Sequence, residues 1–115
     1  MKYVVYISGP MTGKDDLNRP EFEKAAQYIT ETGCIALNPA VLPDGMTDAE
    51  YDRICDAMVE SADAICLLSG WENSRGAKRE LQAALWAMKR VFTSYYDIGT
   101  AVVREPAIGL RNQVG

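Results

Sequence analysis

The sequence predicts an α/β fold: a doubly wound parallel sheet with helices on both faces, in one three-layer domain. Three observations predict it. Short apolar runs alternate with segments of helical spacing in the order strand, helix, strand, helix, strand, helix, strand. The runs are apolar throughout rather than alternating, as in strands buried on both faces. Each intervening segment is long enough to hold a crossover helix, and right-handed crossovers then give a flavodoxin-like or Rossmann-like sheet. Ligands of such sheets bind outside the carboxyl ends of the strands.

Met1 to Ile7 reads as the first strand, ended by the loop Ser8-Gly9-Pro10-Met11-Thr12-Gly13. Pro20 to Thr32 is the first helix. Phe22, Ala25, Ala26 and Ile29 share a face, Pro20 suits the first turn and Gly33 the C-cap. Cys34 to Leu37 is a short strand stopped by Asn38-Pro39, and Pro43, Asp44 and Gly45 mark a loop. Thr47 or Asp48 caps a second helix running to about Ala62, with Tyr51, Ile54, Cys55, Met58 and Val59 expected inward. Asp63 to Leu68 is the third strand. Ser74 to about Lys89 is the third helix, with a Leu81–Leu85–Met88 stripe expected on the sheet and Trp86 outward beside Gln82 and Lys89. Val91 to Tyr95 is a fourth strand and Ala101 to Val103 a candidate fifth; the last ten or so residues read as a flexible tail. An outward tryptophan is a frequent interface anchor, so a homodimer or homotetramer is expected.

Composition narrows the function. The chain has 115 residues, 48% hydrophobic and 24% charged, which suits one domain, 1–115, with a modest core. The formal charge is −4 with no basic run, so a nucleic-acid partner is not expected. No apolar stretch reaches membrane-spanning length and no leader is apparent, so a cytoplasmic protein without a membrane partner is expected. Cys34, Cys55 and Cys66 are odd in number and sit in apolar patterns, as small hydrophobes rather than a disulfide or metal set. There is no histidine. That removes Ser-His-Asp and Cys-His catalysis and His-based zinc sites, and leaves carboxylates, tyrosines and backbone dipoles. No metal or other cofactor is called for.

The densest chemistry lies in Gly70-Trp71-Glu72-Asn73-Ser74-Arg75-Gly76-Ala77-Lys78-Arg79-Glu80, between the third strand and the third helix. Ser74 is a natural N-cap, so the helix's first unpaired N–H groups, from Arg75 and Gly76 onward, face the mouth of the turn, a place that attracts anions. Glu80 follows Gly76 by one turn on nearly the same face, and Gly76 has no side chain to cover it. The first loop fails as a P-loop: its glycines are too close together, Asp15 replaces the magnesium-binding Ser or Thr, and Pro10 lacks an N–H. It remains a glycine-bearing loop through which a ligand can approach the backbone. Tyr6, near the end of the first strand, needs a hydroxyl partner if buried, and Glu80 is a candidate; Trp71 can stack on a heterocycle or cap the core.

Taken together, Tyr6-Ile7-Ser8-Gly9, Asn38-Pro39, Asp63-Ala64-Ile65 and Ser74-x-Gly76-x-x-x-Glu80 with Ala83 and Ala84 resemble the nucleoside 2-deoxyribosyltransferase superfamily over roughly residues 3 to 90. Within it, the pattern is most similar to short phage and bacterial proteins of unassigned activity and to nucleotide N-hydrolases. The resemblance implies that Glu80 is a nucleophile attacking the anomeric carbon of a nucleoside or nucleotide, and that Tyr6 orients it. It also implies ligand contacts from Ser8, Gly9, Met11, Thr12, Gly13, Asn38, Trp71, Ser74, Arg75 and Gly76. Ser74 stands where the transferases carry an acidic residue and the nucleotide hydrolases a phosphate-contacting serine. The expected activity is therefore cleavage of the N-glycosidic bond of a (deoxy)nucleoside 5′-monophosphate. The alternatives are 2-deoxyribosyl transfer between bases and nucleotide binding without turnover. Two positions depart from the pattern. Thr12 replaces a first-loop arginine, and counting back from Asp63 to the supporting aspartate lands on Cys55, with the neighbouring Asp56 about 100° away around the helix.

Overall fold

The computed structural model describes residues 2–99. Four strands, β1 (Val4–Ser8), β2 (Ile35–Leu37), β3 (Ala64–Leu67) and β4 (Arg90–Phe92), form one parallel sheet in the order β2-β1-β3-β4. Three helices connect them: α1 (Arg19–Glu31), α2 (Asp48–Ser61) and α3 (Arg75–Trp86). This is the flavodoxin-like arrangement. Strand order reverses between β1 and β3, and the crevice beyond their carboxyl ends is where such sheets take ligands. The proposed fifth strand and the tail lie outside the described residues.

Alternation along β1 and β3 decides what each face carries. Val5, Ile7, Ala64 and Cys66 pack on one face with Phe22, Ala25 and Ile29 of α1. Val4, Tyr6, Ile65 and Leu67 pack on the other with Cys55 and Val59 of α2 and Ala84 of α3. Ser8, two residues beyond Tyr6, belongs to this second face and ends β1 against Leu67. At the opposite end of the sheet, Asp63 Oδ2 accepts from the Val4 N–H at 2.8 Å, closing the start of β1.

The helix ends follow their sequence signals. Thr47 and Glu50 form a reciprocal capping box at the start of α2. Ser74 caps α3, its Oγ accepting from the Ala77 N–H at 3.1 Å. The entry to α1 is less regular: Asp16, Leu17 and Asn18 all take positive φ, at 49°, 51° and 62°. Non-glycine residues seldom adopt this region. Asn18 Nδ2 donates to the Pro10 carbonyl at 2.9 Å, tying this entry to the first loop.

The inward stripe of α3 also differs from expectation. Ala77, Glu80 and Ala84 are buried, and Leu81 is partly so. Leu85 and Met88 are exposed, Met88 at 91%, while Trp86 faces outward as expected, at 81%. The helix is turned so that its small residues meet the large Tyr6 and Ile65, which is how close packing is reached. Ile54, expected inward on α2, is likewise exposed. The fourth strand is Arg90–Phe92, and Tyr95–Asp97 forms a helical turn.

Among the described residues, no helix is long and apolar enough to cross a membrane. Cys34, Cys55 and Cys66 are buried free thiols. Burial, followed by Asp97, pushes Cys66 up to about 12.

Candidate active site

A cavity of about 570 Å³ opens at the β1/β3 switch point. The first loop and α1 form one wall, the face of α2 a second, and the first turns of α3 a third. Its size is in the range of small-molecule sites.

Glu80 is the buried carboxylate of this cavity, 8% exposed. The Ser8 hydroxyl donates to its Oε1 at 2.6 Å, across 72 residues of sequence. Such short bonds to a carboxylate are charge-assisted. Burial raises the pKa of Glu80 above the ordinary glutamate value; the Ser8 bond is the largest influence pulling it back. Glu80 is thus a desolvated carboxylate with one oxygen fixed.

Tyr6 is fully buried and lines the cavity beside Glu80, where it helps to hold the Glu80 pKa down, but its hydroxyl stands outside regular hydrogen-bonding geometry. Burial, then the charge of Glu80, then Cys55 push its pKa upward, so the phenol is neutral. Ser8 makes the short bond to Glu80 that sequence reasoning did not foresee. Tyr6 and Ser8 share a face of β1, but Ser8 is at the strand's end, where the side chain of Glu80 reaches it.

The third wall presents Ser74, Arg75, Gly76 and Ala77. A Cβ on Gly76 would meet nothing within 4 Å, so the backbone of the first helical turn is open there. The opposite wall presents Gly9, Pro10, Met11 and Thr12. Gly9 is required by a close approach: a Cβ there would come 2.8 Å from the Cβ of Leu68.

Four expected contact residues do not line the cavity. Ser8 is fully buried behind Glu80. Gly13 forms a turn with φ of 81° and no neighbour near its Cβ position. The side chain of Asn38 accepts from the Ala40 N–H at 2.9 Å and caps a short helical turn. Trp71 packs against the Tyr6 and Ile65 side of the core instead of facing the ligand space.

The structure adds Asp48 and Asp52, which sequence reasoning missed, beside Cys55, which it had expected inward. Asp48, Asp52 and Cys55 line the cavity from one stripe of α2, at spacings of four and three. Cys55 is buried near Tyr6 and Glu80, and burial raises its pKa. Asp56 lies off this stripe and pairs with Arg79 at 2.6 Å. Arg19 and Asp44, 2.6 Å apart, close the outer edge with Leu17. The helix-wheel offset that turned Asp56 away carries Asp52 toward the cavity, which is the signal that could have found it.

The family described as a domain of unknown function, DUF4406, matches residues 3–93. No curated protein matches the chain. A similar solved structure is described as a 2-desoxiribosyltransferase from Leishmania mexicana, with a TM-score of 0.64 at 18% identity, covering 77% of this chain and 61% of that one. The chain thus spans about three fifths of the length of that protein. At this identity the likeness is one of fold.

Proposed function

We propose that this chain, which belongs to the DUF4406 family, cleaves the N-glycosidic bond of a (deoxy)nucleoside 5′-monophosphate with Glu80 as nucleophile. The observation that carries the reading is the buried Glu80 carboxylate, held by Ser8 in a cavity whose wall includes the capped amino end of α3. The Glu80 oxygen forms a bond to C1′ as the C1′–N bond breaks. The base leaves with the electron pair and takes up a proton. Water then attacks C1′, loses a proton and releases Glu80 with the free sugar phosphate. Desolvation favours the first step, because a buried carboxylate has no water shell to shed.

Ser74, the Gly76 backbone and Arg75 form the phosphate end of this proposal. The Ser74 oxygen already accepts from the Ala77 N–H, which leaves its proton for a ligand oxygen. Unpaired N–H groups and the helix dipole favour an anion there. The chain should therefore bind a nucleoside monophosphate more tightly than the nucleoside, and Ser74→Asp should erase that preference by placing a carboxylate against the phosphate. Titration calorimetry with both ligands checks this; equal wild-type affinities would make transfer between nucleosides the better reading.

Cys55 favours a second reading. It stands where the resemblance sets a supporting acid, and a thiol with a raised pKa protonates a leaving base poorly. Nucleotide binding without turnover would follow, visible as calorimetric binding with no released base.

The exposed Leu85, Trp86 and Met88 at the end of α3 support self-association. Static light scattering at micromolar concentration should give at least twice the 12.7 kDa chain mass. A 12.7 kDa species would remove the expected oligomer.

A further inference from the structure

We infer that Asp52 reads the sugar, its free carboxylate oxygen accepting a hydrogen bond from the 3′-hydroxyl of the bound pentose. The inference rests on the nucleotide reading of the cavity. It adds a specificity residue that the resemblance does not supply, since the resemblance points to position 55.

Both arginine contacts of the Asp52 side chain fall on one oxygen, and Arg79 Nη2 also donates to the Asp52 backbone carbonyl at 3.4 Å. Arg75 Nη2 lies 3.3 Å and Arg79 Nη2 3.2 Å from Oδ1. Oδ2 makes no hydrogen bond among the described residues, while the residue lines the cavity and its side chain is 30% exposed. A carboxylate clamped through one oxygen and open at the other is an oriented acceptor. It has nothing to donate, so it selects a ligand donor.

The α3 residues that Asp52 pairs with identify which donor. Arg75 and Arg79 belong to the first turns of that helix, between Ser74 at the amino end and Glu80. Ser74 and Glu80 are six residues apart, about 9 Å along the axis at 1.5 Å per residue. With phosphate at Ser74 and C1′ at Glu80, Asp52 stands beside the sugar that joins them, short of the base. The other acidic residues of the cavity are less suited. Asp44 pairs with Arg19 at 2.6 Å at the outer edge of the cavity, its side chain 74% exposed. Asp48 is an exposed residue one turn farther toward the start of α2.

The test uses the full chain carrying Glu80→Gln, so that ligand is not consumed, and calorimetry with the four 2′-deoxynucleoside 5′-monophosphates and their 2′,3′-dideoxy counterparts. The dideoxy ligands should bind roughly 10- to 100-fold more weakly, the loss expected when a charged acceptor is left without its donor. Adding Asp52→Ala should bring the ratio to about one, by weakening the deoxynucleotide more than the dideoxynucleotide. A ratio near one before Asp52 is altered overturns the inference without any variant at that position, so misfolding of Asp52→Ala cannot hide the answer. Equal weakening of both ligands by Asp52→Ala also overturns it, leaving Asp52 as an anchor for the arginines. Failure to bind any nucleotide overturns the nucleotide reading itself, and this inference with it.

Discussion

Glu80→Gln should fold as the wild type does and release base at least about 1,000-fold more slowly, a loss of ~4 kcal/mol of transition-state stabilisation. The amide is nearly isosteric, and its carbonyl oxygen can still accept from the Ser8 hydroxyl at the position now 2.6 Å away. Helix propensity is similar. What disappears is the negative charge, without which no glycosyl ester forms and an oxocarbenium-like centre is poorly stabilised. The same substitution removes a carboxylate that burial already disfavours in its ionised form. The variant's thermal midpoint at neutral pH should therefore match or exceed that of the wild type. This pairing is diagnostic: a merely structural glutamate would lose stability and activity together. Base release is followed chromatographically on a panel of nucleoside monophosphates, and rapid quenching with mass spectrometry looks for a sugar phosphate on Glu80. Equal activity of variant and wild type would end the nucleophile assignment.

The order of elements was legible because the signals that set it are local. The capping box at Thr47 and Glu50, the cap at Ser74, and the apolar runs of β1 and β3 each read over a few residues. Proximity of Ser74, Gly76 and Glu80 was legible for the same reason, since one helix carries them all. Contacts between elements were not. Ser8 and Glu80 meet only after two crossovers have placed α3 over β1, so their spacing in the chain carries no trace of the bond. The rotation of α3 was misread because Leu81, Leu85 and Met88 make a better apolar stripe than Ala77, Glu80 and Ala84. The choice between them depends on the bulk of Tyr6 and Ile65 opposite, and periodicity does not contain that information. Trp71 was a choice between ligand and core, which only the course of the turn after β3 decides. Asp52 was recoverable from the helix wheel once Cys55 faced inward. The left-handed run Asp16 to Asn18 was not, because none of these residues demands it as a glycine would.

Ser8→Ala should carry the second largest effect, and its signature is a shift in pH dependence as well as a lower rate. The reaction needs Glu80 ionised, so the acidic limb of base release should lie above the ordinary glutamate value, because burial raises the pKa of Glu80. The Ser8 hydroxyl bonds the ionised form and so lowers that pKa; removing it must move the limb upward. At a pH above both limbs the residual loss reports lost orientation of Oε1, about 10- to 100-fold for ~1.4–2.7 kcal/mol of barrier. Stability follows the same linkage. A carboxyl whose folded pKa is raised loses its proton first in the unfolded chain. Folding is then favoured below the unfolded value and weakened as pH rises through the window up to the folded value. Ser8→Ala widens that window at its upper end, so the variant should melt like the wild type in acid and fall progressively below it toward neutral pH. Melting curves and base-release rates across the same pH series test both halves. If the limb stays where it was while the rate falls, Ser8 supports packing only. If the variant instead loses stability uniformly at every pH, the hydroxyl acts on the strand and not on the charge of Glu80.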